Sequence, residues 1–162
     1  MTAATSRDIK VTTPSDREIT VTREFDAPRD LVFLAHSSAE HMSKWWGPRR
    51  YDIAVCEVDF RVGGKWRIVH RGDDGQEFGF RGEYKEIRPP EKIVWTFEFE
   101  GYPGHISLET LSLEERDGKT ILTANAVYET VEDRNATLQS GMEEGANETM
   151  QRLDEYIATL RS

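Results

Sequence analysis

At 162 residues the chain has the length of one domain, and a domain of this size buries roughly 70% of the surface its unfolded chain exposes. A net charge of −9 with no basic face excludes nucleic acid as a partner, and 37% hydrophobic with 10% aromatic content excludes a disordered chain. The lone Cys56 excludes an internal disulfide, and no apolar run approaches the roughly 18 residues of a membrane span, so the expectation is a cytoplasmic protein without membrane insertion, a monomer or homodimer.

Residues 1–17 are polar and aperiodic and read as a flexible N-terminal tail, with a single domain over 18–162. Ile19, Val21, Arg23 and Phe25 alternate with polar neighbours, the period of a half-buried strand over 18–25. Asp26 and Pro28 start a short helix, and Ser37 with Glu40 makes a capping box for a second that Gly47-Pro48 ends. From Tyr51 to Tyr128 strands are expected at 51–59, 64–71, 76–87, 92–100, 107–116 and 119–128. Asp74-Gly75 and Asp117-Gly118 supply tight antiparallel turns, and Pro89-Pro90 marks a longer connection. Thr130 and Asp133 open a helical turn, and Ser140 with Glu143 forms a capping box for a long helix. That helix carries Met142, Ala146, Met150, Leu153, Ile157 and Leu160 as one apolar stripe, which must lie on the sheet.

Alternation also separates the faces of the strands. Trp66, Ile68 and His70 share one side of their strand; Phe78, Phe80, Gly82 and Tyr84 share another; Ile93, Trp95, Phe97 and Phe99 a third. These aromatic faces point inward, toward a helix whose first turns offer only Met142, Gly145 and Ala146. Small helical residues opposite large rings permit a void, although rings that fill the space would stabilise the fold equally well. Trp45 and Trp46, as helical neighbours, point about 100° apart, so at most one is expected to face the pocket, and Trp46 is the choice.

The motifs Asp26-Ala27-Pro28, Trp45-Trp46-Gly47-Pro48, Gly63-Gly64-Lys65-Trp66-Arg67 and Phe80-Arg81-Gly82-Glu83-Tyr84 occur in that order. Pro89-Pro90-Glu91-Lys92-Ile93 and Met142-Glu143-Glu144-Gly145 follow. In this combination, over residues 18 to 160, the chain resembles the START-like helix-grip superfamily (SRPBCC), which includes polyketide cyclases. Within it the chain is similar to the branch of the activator of Hsp90 ATPase (AHSA1-like). The resemblance implies an α+β, START-like (Bet v 1-like) helix-grip fold. A curved seven-stranded antiparallel sheet would wrap around the long C-terminal helix, with two short helices after strand one. It implies a cavity as well, because members bind lipids, sterols, polyketides or hormones and a minority catalyse cyclisation or dehydration.

The expected ligand-binding residues are Trp46, Trp66, Ile68, His70, Phe78, Phe80, Tyr84, Trp95, Phe97, Met142 and Ala146, around a small hydrophobic molecule. His70 is a candidate base, with Tyr84 or Tyr128 as hydroxyl partners, although each can be satisfied locally instead. His36 and His41 straddle a helix break and lack the i, i+4 spacing of a zinc helix, so neither metal nor cofactor is expected. No nucleophile elbow, P-loop or dinucleotide fingerprint occurs. Three readings therefore stand: a hydrophobic-ligand-binding domain, a cyclase- or dehydratase-type enzyme, and a chaperone-associated interaction module.

Overall fold

The computed structural model describes residues 8–161, so the first seven residues of the expected tail lie outside the described residues. The elements run β1 (Lys10–Thr12), β2 (Glu18–Phe25), α1 (Arg29–Leu34), α2 (Ala39–Met42), β3 (Asp52–Val58), β4 (Lys65–Arg71), β5 (Glu77–Arg88), β6 (Lys92–Phe99), β7 (Ile106–Arg116), β8 (Lys119–Tyr128), α3 (Val131–Gln139) and α4 (Met142–Arg161). One antiparallel sheet takes the order β1-β2-β8-β7-β6-β5-β4-β3. After β2 the chain crosses through α1 and α2 to the far edge, then returns strand by strand until β8 lies beside β2. This α+β helix-grip arrangement buries Leu153 and Ile157 of α4 among inward residues of the sheet such as Phe25, Trp66, Ile68, Ile93 and Leu122.

Eight strands form rather than seven because part of the expected tail pairs: Lys10, Val11 and Thr12 lie opposite Thr22, Val21 and Thr20. Three residues with one apolar side chain are too short for alternation to register. The amide of Ile9 then donates to Asn147 Oδ1 at 3.1 Å, tying this segment to α4.

Neither capping box forms as expected. The cap of α2 is Ser38, whose hydroxyl accepts from the His41 amide, while the Ser37 hydroxyl donates back to the Leu34 carbonyl. Ser140 closes α3 and donates to the Thr137 carbonyl at 2.6 Å, and Gly141, at φ +83°, turns the chain into α4. Thr130 does cap α3, accepting from the Asp133 amide, though α3 is a nine-residue helix rather than one turn. Asp117 and Gly118 both have positive φ, as a two-residue hairpin between β7 and β8 requires.

On the outer face Arg81 and Glu98 are register partners and pair at 3.0 Å, and Arg67 meets Glu100 at 2.7 Å. Such pairs contribute about 0.2–1 kcal/mol each. Arg23 differs, because strand alternation carries it to the inner side with Ile19 and Phe25, where its side chain is 4% exposed. There it lies over the Phe25 ring and reaches Asp154 of α4 at 3.3 Å. Removing Asp154 leaves a buried charge unpaired. Asp154→Ala is expected to lower stability by about 3 kcal/mol in urea denaturation, at the lower end for a broken buried pair because the carboxylate is 39% exposed. A loss under about 1 kcal/mol would mean that the pair contributes only what a surface pair does.

Candidate functional site

The core contains a cavity of about 170 Å³. Its floor is the inner face of the sheet, with Trp66 of β4, Tyr84 of β5, Trp95 and Phe97 of β6, and Leu122 and Ala124 of β8. Its roof is Thr149 and Met150 of α4, and its side wall is the α1–α2 segment through His36, Met42, Trp45 and Trp46. Each wall follows from local sequence: period-2 strands aim the rings inward, and the turn after α2 folds two tryptophans under the helix. Trp45 is only 3% exposed, its indole donating to the Ala35 carbonyl at 3.0 Å and meeting the His36 ring edge-on. Trp46 packs against Trp66 and Phe80. Both tryptophans thus border the cavity, against the expectation of one. They follow the last residue of α2, where 100° helical spacing no longer governs them.

Five of the eleven expected ligand-binding residues line this space: Trp46, Trp66, Tyr84, Trp95 and Phe97. Ile68 is fully buried in solid core, and Phe78 lies farther along the sheet against Tyr51 and Phe99. Phe80 borders a second depression under α3 instead, together with Phe97, Phe99 and Tyr128. Met142 and Ala146 do not reach the cavity, because the head of α4 is engaged by other segments. Asn147 holds Ile9, and Glu148 accepts from the Arg49 amide. The cavity therefore lies one turn deeper, at Thr149 and Met150.

His70 does not line the cavity either. Its ring is sandwiched by Trp46, Tyr51 and Phe80, with Gly47 so close that a methyl there would overlap the imidazole. Burial, and then the positive charge of Arg152, pull its pKa down to about 4, and Nε2 has no partner. A base this weak and this enclosed is poorly suited to proton transfer. Burial raises the pKa of Tyr84, and pushes that of Tyr128 up to about 12 with help from the charge of Glu109. Tyr128 opens onto the depression under α3, where His105 stacks on Tyr102 and meets Asp133 at 2.8 Å.

The cavity holds one residue the sequence reading passed over. Glu109 of β7 lines it, and its Oε1 accepts from the Trp95 indole at 3.0 Å. Desolvation raises its pKa to about 7, and the indole hydrogen bond only partly opposes this. The signal was present in the alternation of 107–116: Ser107, Glu109, Leu111 and Leu113 share a face. The apolar residues change sides midway along the strand, so Ile106 and Leu108 are exposed while Ser107 is buried. His36, also in the wall, donates from Nδ1 to the Val32 carbonyl at 2.8 Å, and because that partner can only accept, the proton is fixed on Nδ1. Burial lowers its pKa to about 4, so it is neutral at pH 7. Among the described residues no group of three or more His, Cys, Asp or Glu could hold a metal ion. No helix among them is long and apolar enough to cross a membrane.

Solved structures place this architecture among known ones. A protein from Rhodobacter sphaeroides superposes with a TM-score of 0.86 at 26% identity, covering 94% of this chain and 99% of that one. One from Mycobacterium smegmatis gives 0.83 at 24% identity over 94% and 99% of the two chains. An AHSA1 protein from Silicibacter pomeroyi gives 0.70 at 21% identity over 88% and 98%. No curated protein matches the sequence. The family model described as "Activator of Hsp90 ATPase homolog 1-like protein" matches residues 26–158, which takes in every wall of the cavity, and the chain belongs to that AHSA1 family.

Proposed function

We propose that the protein binds one small, ring-sized, largely apolar molecule in the cavity between the sheet and α4. The observation that carries this reading is a void of about 170 Å³ lined by aromatic rings. Protein interiors are close-packed and leave few voids larger than a water molecule, so a space of this size among core side chains is unusual. A dry apolar cavity of about 150 Å³ accepts benzene, which sets the size of the occupant at one ring with a short substituent. The cyclase or dehydratase reading built on His70 has less support, since that imidazole lies outside the cavity and is a weak base.

A thermal-shift panel of one-ring and larger lipophiles tests the proposal. A ligand at about 100 times its Kd adds about 2.7 kcal/mol, expected as a rise in Tm of about 5–10 °C for one-ring compounds. Ala124→Leu, which extends a methyl-lined part of the floor into the void, is expected to raise Tm without ligand and to abolish the shift. One-ring compounds that shift the parent and the Ala124→Leu variant equally would place their site elsewhere and overturn the proposal.

A further inference from the structure

Among the described residues Glu109 is the only acidic one in the cavity wall, and no lysine or arginine among them lines it. Buried carboxylates are ordinarily paired or protonated, because an isolated charge in apolar surroundings is strongly disfavoured. Here the one partner is the neutral Trp95 indole, which occupies Oε1 and leaves acceptor capacity toward the cavity.

The remaining polar groups in the wall show what kind of ligand complements it. The indole N–H groups of Trp45, Trp66 and Trp95 are already committed, to the carbonyls of Ala35 and Thr96 and to Glu109. Those three donors are therefore unavailable to a ligand, although the rings themselves line the cavity. The wall thus combines aromatic rings, a class of group that attracts cations and does so most strongly for tryptophan, with a carboxylate that has no counter-ion in the wall. Resting on the cavity-binding reading above, we propose that the ligand carries a cationic nitrogen, in the manner of a one-ring amine, with the ammonium held by Glu109 among the tryptophan rings.

This recognition depends on pH through Glu109. Trp95 of β6 and Tyr128 of β8 beside it, and Tyr84 of β5, His36 of the segment after α1 and Thr149 and Met150 of α4 around the same cavity, are uncharged at neutral pH. Ionisation of Glu109 then creates the one charge that a cation can meet.

Calorimetric titration of the full chain with benzylamine, toluene and acetophenone tests the assignment, because the three probes are of similar size. At pH 8 benzylamine is expected to bind at least tenfold more tightly than toluene. Its affinity should fall by up to tenfold per unit below pH 7, while that of toluene stays flat. In Glu109→Gln the benzylamine advantage should disappear and toluene binding persist. Toluene binding as well as or better than benzylamine at pH 8, or Glu109→Gln retaining the amine preference, would overturn the cation assignment and leave the cavity reading standing. Acetophenone binding most tightly would also overturn it, since a pure acceptor gains nothing from an ionised Glu109. Failure of all three probes to bind would overturn the cavity reading and this proposal together.

Discussion

Glu109→Gln is expected to make the protein more stable at pH 8, by about 2–3 kcal/mol more than any difference it makes at pH 5. The sign follows from proton linkage. Glu109 has a pKa of about 7 in the folded chain against 4.5 for the free group, so the folded state binds its proton more tightly than the unfolded state. That advantage is complete below pH 4.5 and is lost as pH rises to 7, at about 1.4 kcal/mol per unit. Above pH 7 the folded chain carries a half-buried carboxylate in the cavity wall whose one hydrogen bond is to Trp95, and glutamine keeps the shape and the acceptor without the charge. His36 and His70 work in the opposite direction: their folded pKa values near 4 contribute stability that appears as pH rises from 4 to 6.5. Between pH 4.5 and 6.5 the two histidines together outweigh Glu109, so the parent curve should rise with pH at about half the slope of the variant. Urea denaturation midpoints for both proteins between pH 5 and 8 decide the matter, and parallel curves would show that Glu109 is solvated in the folded state.

The second large effect is expected at Gly82. In the register of β4 and β5, Gly82 lies directly opposite Trp66, and the indole lies across the glycine to donate to the Thr96 carbonyl at 3.3 Å. A methyl at position 82 would overlap both the Thr96 carbonyl oxygen and the indole nitrogen. Here glycine is required by close approach rather than by backbone conformation. Gly82→Ala should lower stability by about 3 kcal/mol, the upper end for overpacking, because one colliding atom belongs to a strand backbone that cannot swing aside. It should also push Trp66 into the cavity and abolish one-ring ligand binding. Gly79→Ala is the control, since its methyl meets only the end of the flexible Glu100 side chain. Equal stability of the two variants would mean that the Trp66 ring can leave Gly82 freely.

How far the sequence foretold this depends on how local each signal is. The long strands, their inward rings and the buried half of the α4 stripe follow from periodicity, because burying one face of a sheet or helix imposes it. Lys10–Thr12 is too short to show a period and depends on pairing with β2. Ser37 and Ser38 are equally good caps by composition, and only backbone placement gives the role to Ser38. The site divides in the same way. Trp66, Trp95 and Phe97 are strand residues whose direction alternation fixes, whereas Met142 and Ala146 required knowing how far along α4 the cavity lies. That depth is set by Ile9, Arg49 and Pro48 against the head of the helix, contacts with residues far away in sequence. Glu109 could have been found by alternation, but a carboxylate in a strand ordinarily marks the solvent side, and here it marks the inner one.

The chain has four tryptophans, Trp45, Trp46, Trp66 and Trp95, and all four border the cavity. Every indole in the molecule therefore senses the same small volume, and none outside it contributes background. The ultraviolet emission of the unlabelled protein is in consequence a local probe: an occupant that displaces water or quenches a ring alters the whole signal rather than a fraction of it. Because Glu109 hydrogen-bonds one of those indoles, gain or loss of its proton should be visible in the same spectrum.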